Sequence, residues 1–158
     1  MLNQRSPKLS SHDPVSILLV GNNPIEMSRM LDLVKKLPGK RVVTEIAFDL
    51  ASVLQRLIRF RPSLILIDDN IGISQMGQTV RNLSSDPKTR DVPIAILKNS
   101  NYSTSLVINE LADYVLKQNL TPESIYTIIK NAIRLKQARV YFTMAYKKRK
   151  RQLLRLID

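Results

Sequence analysis

Residues 62–70 read PSLILIDDN, and this stretch decides the fold. Pro62 ends the helical pattern that precedes it, because proline cannot continue a helix. The next segment, Leu64 to Ile67, is apolar at every position, which is typical of a central parallel strand covered on both faces. Two aspartates and an asparagine follow at once, at residues 68–70. The stretch therefore predicts a buried strand that ends in acidic side chains.

On both sides of this strand, strand patterns alternate with helical patterns. The other strand candidates are Val15 to Val20, Arg41 to Phe48, Val92 to Leu97 and Asp113 to Leu116. Helices are predicted to begin after Asn23, Asp49 and Thr121, since these residue types are favoured N-terminal caps. Weaker helical signals lie at about residues 75–83 and 106–111. Five strands that alternate with helices predict a doubly wound α/β domain, with helices on both faces of a parallel sheet.

The chain of 158 residues suits one globular domain with two appendages. Residues 1–14 are polar and contain two prolines, so they predict a flexible leader. Residues 15–135 are predicted to form the domain, and residues 136–158 to continue its last helix as a basic extension. The longest apolar runs have four residues, too few to span a membrane. The first 14 residues lack the apolar centre of a secretory signal, so we expect a cytoplasmic protein.

Composition excludes several kinds of site. The chain has no cysteine and a single histidine, His12, which rules out disulfide frameworks, zinc clusters and thiol nucleophiles. Its net charge of +12 is unevenly distributed. Residues 1–124 hold 15 basic and 12 acidic side chains, whereas residues 125–158 hold 10 basic and one acidic. The excess positive charge therefore belongs to the C-terminal helix.

Polar residues follow four of the predicted strands. In a parallel sheet these positions meet at one edge, where ligands bind in such folds. They are Gly21 and Asn22, Asp68 and Asp69, Lys98 and Asn99, and Lys117.

Three stretches resemble the receiver domain of bacterial two-component response regulators. Residues 62–68 resemble the strand that bears the phosphate-accepting aspartate of that family. Residues 85–94, SDPKTRDVPI, resemble its turn into the fourth strand, and residues 113–117, DYVLK, resemble its fifth strand. The resemblance covers about residues 15–135. It implies a flavodoxin-like sheet of strand order 2-1-3-4-5 and places Asp68 at the position of the phosphoacceptor.

The metal site departs from the receiver pattern. The family has two magnesium-binding acids at the end of its first strand, where this chain has Gly21 and Asn22, and Asn70 is a neutral neighbour of the acceptor. Magnesium is usually held by carboxylates together with phosphate oxygens. We therefore expect no bound metal or other cofactor, and phosphotransfer that is severely weakened or lost.

The switch residues depart as well. Lys98 stands where the family has Thr or Ser, while Gln118 and Gly72 replace two prolines of the family. Strand alternation is expected to turn Asp69 away from Asp68. The charged groups that remain at the site are then Asp68, Lys98 and Lys117, with a net charge of +1.

Two interpretations of the lysines stay open. Lys98 and Lys117 both reach Asp68 and form a constant ion pair that fixes the switch region, or they extend into water, where ion pairs contribute little. Tyr114 matches the family's switch aromatic. Without Thr at position 98 we interpret it as a packing or interface residue.

Neither proline nor glycine occurs after Pro122, so the last helix is predicted to run to Asp158. One interpretation is a signalling helix that links the receiver to a segment beyond residue 158 or pairs with its twin. The heptad through Ile129, Ile133, Val140, Leu154 and Ile157 is weak. A second is a nucleic-acid contact through Lys147, Lys148, Arg149, Lys150 and Arg151, with Tyr141, Phe142 and Tyr146 available for stacking. A third is a solvated basic face or a membrane-surface patch with Leu153, Leu154 and Ile157 on its apolar side.

The sequence thus predicts a non-enzymatic signalling module. It is interpreted as a degenerate receiver that acts through contacts with a protein partner, a histidine kinase or an output domain, and as a homodimer through its C-terminal helix. The alternative is a working phosphoacceptor at Asp68 with a weakly held magnesium ion. A second alternative is nucleic-acid binding through the basic extension.

Overall fold

The five strands form one parallel sheet. The structure is a computed structural model that describes residues 14–39, 41–99 and 113–157, apart from the side chains of residues 113, 133 and 136. The strands are β1 (Val15–Val20), β2 (Val42–Ala47), β3 (Leu64–Asp68), β4 (Ile94–Lys98) and β5 (Asp113–Leu116). Their order is β2-β1-β3-β4-β5. This confirms the predicted α/β fold and strand order.

Four helices accompany the sheet within the described ranges. They are α1 (Pro24–Lys35), α2 (Leu50–Arg56), α3 (Ile73–Ser85) and α4 (Pro122–Ile157). The predicted caps are confirmed, since the side chains of Asn23, Asp49 and Thr121 accept hydrogen bonds from the backbone of the first turns of α1, α2 and α4. The predicted leader at residues 1–14 lies outside the described residues except for its last residue, and the apolar segment at 106–111 lies wholly outside them.

The core has two parts, one on each face of the sheet. On one face, α1 and α4 pack on β1, β3 and β4, with Met30, Ile125 and Ile129 buried. On the other face, α2 and α3 bury Val53, Val80 and other apolar side chains against the same strands. Helices therefore cover both faces, as predicted. Alternation along each strand distributes its side chains between the two parts.

The helix α4 continues far beyond the sheet. It has 36 residues, which corresponds to about 54 Å at 1.5 Å per residue. Ile125, Ile129 and Ala132 are buried in its first turns, whereas every residue from 139 to 157 is exposed. The predicted helical extension is confirmed. Ile129, the first residue of the weak heptad, is 4% exposed and packs in the chain's own core, and the homodimer through this helix stays a prediction.

A short connection joins the end of β3 to the start of α3. A single turn of 3-10 helix, Asp69–Ile71, is followed by Gly72 with φ of 90°. Proline cannot adopt a positive φ and most other residues do so at a cost, so glycine suits this position. None of the described helices is both long and apolar enough to cross a membrane.

Candidate functional site

Asp68 is the centre of the candidate site, at the carboxyl end of β3. All five residues of β3 are buried, and the Asp68 side chain is 1% exposed. One of its oxygens, Oδ1, accepts hydrogen bonds from the backbone N–H of Asn70 at 2.8 Å and from Lys117 Nζ at 2.7 Å. A buried carboxylate is costly unless it is paired and hydrogen-bonded. Lys117, which follows β5, supplies the opposite charge that was predicted for it.

Asp69 also faces this lysine, contrary to the prediction. Its Oδ1 lies 3.5 Å from Lys117 Nζ, and its carboxylate accepts hydrogen bonds from the backbone and side chain of Asn99 at 3.1 and 3.2 Å. The prediction failed because β3 ends at Asp68 and Asp69 begins the 3-10 turn. Strand alternation does not extend beyond the last extended residue. Two carboxylates therefore share one ammonium group.

Lys98 lies on the other face of the sheet. Its Nζ is 4.2 Å from the centre of the Tyr114 ring, and within the described ranges it forms no ion pair with Asp68. The prediction that both lysines reach Asp68 is thus confirmed for Lys117 and wrong for Lys98. In the sheet register Asp68 is opposite Leu97, so Lys98, the next residue, points to the opposite side.

The positions of Lys98 and Asp69 change the predicted net charge of the group around Asp68. Lys98 leaves the group around Asp68 and Asp69 joins it, which changes the predicted balance of +1 to −1. The side on which Lys98 lies depends on the register between β3 and β4, which alternation along β4 alone does not fix. The position of Asp69 depends on where β3 ends, and strand ends are the least certain feature of a sequence pattern.

Tyr114 packs as the sequence interpretation favoured. Its ring contacts the core on the α2 and α3 face. Burial raises the pKa of its phenol above the ordinary value. Among the described residues, its buried hydroxyl has no hydrogen-bond partner. The ammonium of Lys98 rests on the ring, an arrangement that attracts a cation to the negative face of an aromatic group.

The space beside Asp68 is filled by Met27, a buried residue of α1. A Cβ added to Gly21 would lie 2.7 Å from Met27 Sδ, still closer to Met27 Cε, and 3.2 Å from Asp68 Cβ. Met27 is 3% exposed. An acidic side chain at residue 21 would therefore have to displace the thioether end of Met27, which is the flexible end of that side chain. The sequence signal for this contact was the glycine at position 21, since glycine lets a neighbouring side chain approach the backbone most closely.

The two remaining metal-site positions offer only neutral amides. Asn22 is exposed. Asn70 is exposed too, and its side-chain oxygen accepts a hydrogen bond from Asn99 Nδ2 at 2.9 Å. Across residues 14–39, 41–99 and 113–157, no group of three or more His, Asp or Glu side chains is placed to hold a metal ion.

The residues of this site do not fit a magnesium ion. The ion prefers carboxylate oxygens in an octahedral arrangement and usually keeps several waters. Here the two carboxylates already face the Lys117 ammonium, at 2.7 and 3.5 Å. The second Asp68 oxygen, Oδ2, is buried and has no hydrogen-bond partner in the described part of the chain.

Comparison with known proteins identifies the fold. No family model and no curated relative matches the sequence. The receiver domain of a sensor histidine kinase from Pseudomonas aeruginosa is similar with a TM-score of 0.63 and 20% identity, over 77% of this chain and 98% of that one. The N-terminal domain of a response regulator receiver protein from Methanoculleus marisnigri gives 0.54 and 27%, over 73% and 94%. This chain has the receiver-domain fold.

A third structure extends the similarity into the helical extension. A fusion that contains a trimeric coiled coil from yeast matches this receiver fold over 92% of the chain and 95% of its own length, with a TM-score of 0.62 and 21% identity. The Pseudomonas domain has a magnesium ion coordinated in its active-site cleft. In the present receiver fold, the corresponding edge of the sheet contains Gly21, Met27 and the pair of Asp68 with Lys117.

The basic residues proposed for a tail contact are not part of this edge. Lys147, Lys148, Arg149, Lys150 and Arg151 all lie in the exposed half of α4. The receiver fold therefore presents two separate candidate regions, the edge around Asp68 and the extension of α4.

Proposed function

We propose that this chain is a non-enzymatic signalling module of the receiver type that transmits through protein contacts and has lost metal-dependent phosphotransfer. The observation that carries this proposal is the contact of Met27 with Gly21. It fills the place from which a second acid would reach a cation beside Asp68. Without a metal, the negative charge that develops on a transferred phosphoryl group loses its main stabiliser.

Two further contacts support a switch region that is held in a single conformation. The side chains of Asp68 and Lys117 are 1% and 12% exposed, so water screens the attraction between their charges weakly. The Lys98 ammonium lies over the Tyr114 ring, whose hydroxyl is buried. A receiver of this kind offers one constant surface to its partner, which we propose to be a histidine kinase or an output domain.

Phosphorylation of the whole chain tests the proposal. The protein is incubated with acetyl phosphate and magnesium, and its intact mass is measured alongside a receiver domain that is known to accept this donor. We expect no mass increase for this chain while the reference protein is modified. Stoichiometric addition of one phosphoryl group that disappears in Asp68→Asn would overturn the proposal.

The alternative function is a working phosphoacceptor at Asp68 with a weakly held metal. One observation favours it, the buried Oδ2 of Asp68 without a hydrogen-bond partner in the described ranges, since an unpaired acceptor is costly to keep. The same experiment decides between the two functions, because the alternative requires Asp68-dependent phosphorylation that increases with magnesium.

A further inference from the structure

The outer half of α4, which we define as Arg139–Ile157, carries large apolar side chains in full contact with water. Leu156 and Ile157 are 82% and 80% exposed, Phe142 and Tyr146 are both 69% exposed, and Leu153 is 60% exposed. Single exposed apolar residues are normal, but a continuous exposed group marks an interaction site. The proposed receiver function uses none of these residues.

These side chains lie on one side of the helix. Phe142, Tyr146, Leu153 and Ile157 follow one another at intervals of four, seven and four residues. At about 100° per residue, these intervals keep them on a single face. We call this the apolar face.

Basic side chains occupy the opposite side of the same helix. Lys147, Arg151 and Arg155 are spaced by four residues, and Lys148 lies next to them on the helix surface. At about 100° per residue, this group is centred roughly half a turn away from the apolar face. We call it the basic face. Arg149 and Lys150 border the apolar face and Met144 lies within the basic face, so the two faces are only partly separated. The outer half of α4 is therefore a basic helix with a narrow apolar stripe.

Charge argues against a second copy of the chain as the occupant. No acidic residue occurs from Ser124 to Ile157, while ten basic residues lie between Lys130 and Arg155. Two such helices side by side would bring the cations that border the apolar face, Arg149 and Lys150, near those of the other copy without a compensating carboxylate, which destabilises a coiled coil. The complementary occupant is a polyanion.

The apolar face distinguishes between two kinds of polyanion. Nucleic acid would use the cations, and its bases could stack on Phe142 and Tyr146. It would leave Leu153, Leu156 and Ile157 in water. An anionic bilayer accommodates both faces, since the apolar side chains enter the acyl boundary and the cations meet the headgroups.

We propose that the outer half of α4 binds in the plane of an anionic membrane surface. From Phe142 to Ile157 the helix extends about 22 Å at 1.5 Å per residue, and it would lie along the surface. The inner half of α4 is held on the sheet by Ile125 and Ile129. A continuous helix thus joins the membrane contact to the receiver fold, and the edge around Asp68 remains free for a protein partner.

Binding to lipid vesicles tests this with the whole chain. The protein is mixed with vesicles of phosphatidylcholine alone or with phosphatidylserine added, and bound protein is measured by co-sedimentation at low and high salt. We expect binding to the anionic vesicles that weakens as salt increases, and at least tenfold weaker binding to the neutral ones. Equal binding to both compositions, or none to either, would overturn the proposal.

Matched variants separate the contributions of the two faces. L153A/I157A shortens the apolar face and is expected to reduce binding to anionic vesicles about tenfold or more. The control is M144A, which removes an equally exposed apolar side chain from the centre of the basic face. Replacing Lys147, Lys148 and Arg151 by Gln is expected to reduce binding about a hundredfold at low salt. Its control replaces Arg59, Arg61 and Lys88, which are exposed elsewhere, and changes the net charge equally.

The other occupants are outcomes of the same set of variants. Binding to a DNA or RNA oligonucleotide that is stronger than vesicle binding and unchanged in L153A/I157A would identify a nucleic-acid contact and overturn the proposal. Self-association that L153A/I157A abolishes, together with absent vesicle binding, would identify a second copy and overturn it as well. Circular dichroism of each variant shows whether the helix is intact, and K147Q/K148Q/R151Q provides an independent test if an apolar variant unfolds.

Discussion

Asp68 at the end of β3 and Lys117 just after β5 define the chemistry of the candidate site. The carboxylate of Asp68 is almost completely removed from water, so it depends on Lys117 and on the N–H of Asn70 for stabilisation. Removing one partner of a buried pair leaves an uncompensated charge and is strongly destabilising. Lys98 takes no part in this pair and instead covers Tyr114. At this scale, the orientation of single residues decides which groups can react.

The contact between Gly21 and Met27 can be tested by stability measurements. We expect Gly21→Ala to lower the free energy of unfolding by about 1 kcal/mol, because the added methyl group meets the buried thioether end of Met27, which can shift. In a Met27→Ala background the same substitution should cost less, with a coupling energy of about 1 kcal/mol. Urea unfolding of the four proteins measures both quantities.

Gly77 provides a control for which the expected change in the free energy of unfolding has the opposite sign. A Cβ added to Gly77 in α3 would lie 3.4 Å from the end of the Arg81 side chain. We expect Gly77→Ala to stabilise the protein by about 0.5–1 kcal/mol through helix propensity alone. Equal effects of Gly21→Ala in the presence and absence of the Met27 side chain would contradict the proposed filling of the site.

Tyr114 gives the site a measurable pH dependence. Burial raises the pKa of its phenol in the folded protein, whereas the unfolded chain has an ordinary pKa of about 10. The neutral phenol therefore favours folding fully below the unfolded pKa, and this contribution is lost as the pH rises through the folded pKa. We expect alkaline titration, followed by phenolate absorption, to include a component that ionises above the ordinary pKa of about 10. That late component should be missing in Tyr114→Phe.

Among the elements, α4 is the one that serves two purposes. Its inner turns complete the core beside α1, while residues 139–157 are all exposed. An isolated helix is marginally stable in water, and most helical stability in proteins comes from the packing of an apolar face. The inner half is therefore stabilised by the sheet, and the outer half depends on its connection to it.

Equivalent substitutions in the two halves of α4 should have unequal effects. Ile129 and Val140 are 4% and 47% exposed. We expect Ile129→Ala to lower the free energy of unfolding by about 2–5 kcal/mol, because it leaves a cavity in the core. Val140→Ala should change it by less than about 0.5 kcal/mol. Thermal unfolding of the two variants would contradict the division of α4 if their losses were similar.

Over the whole molecule, a close-packed sheet is joined to a helix that extends beyond it. The strands β1 and β3 are buried on both faces, so their amides open only when the domain unfolds. The outer half of α4 has exposed side chains throughout, and its amides can open locally. Stability is therefore expected to differ widely between the two parts of the same chain.

Hydrogen exchange of the whole chain should reveal this difference. We expect amides of Ile17 to Val20 and Leu64 to Ile67 to be the most protected, and those beyond residue 139 to exchange at rates typical of a free helix. Mass spectrometry of peptic fragments measures both groups at once. If the outer half of α4 were as strongly protected as β3 in the protein alone, its side chains would be packed rather than exposed. The expected difference in stability between the two parts would then be wrong.

Much of this protein follows from its sequence alone. The five strands, the caps at Asn23, Asp49 and Thr121 and the strand-end placement of Asp68 and Lys117 were all predicted, because each depends on residues close together in the chain. The long basic helix was predicted for the same reason. The charge of the candidate site and the filling of its metal position were not.

Only the tertiary structure decided the directions of Asp69, Lys98 and Met27. Asp69 turns toward Lys117 because β3 stops one residue earlier than alternation assumed. Lys98 points to Tyr114 because the pairing of β3 with β4 sets Asp68 opposite Leu97. Met27 reaches Gly21 because α1 packs across the end of β1. Each outcome depends on strand register or on competition for space between distant segments, and neither is determined by local sequence.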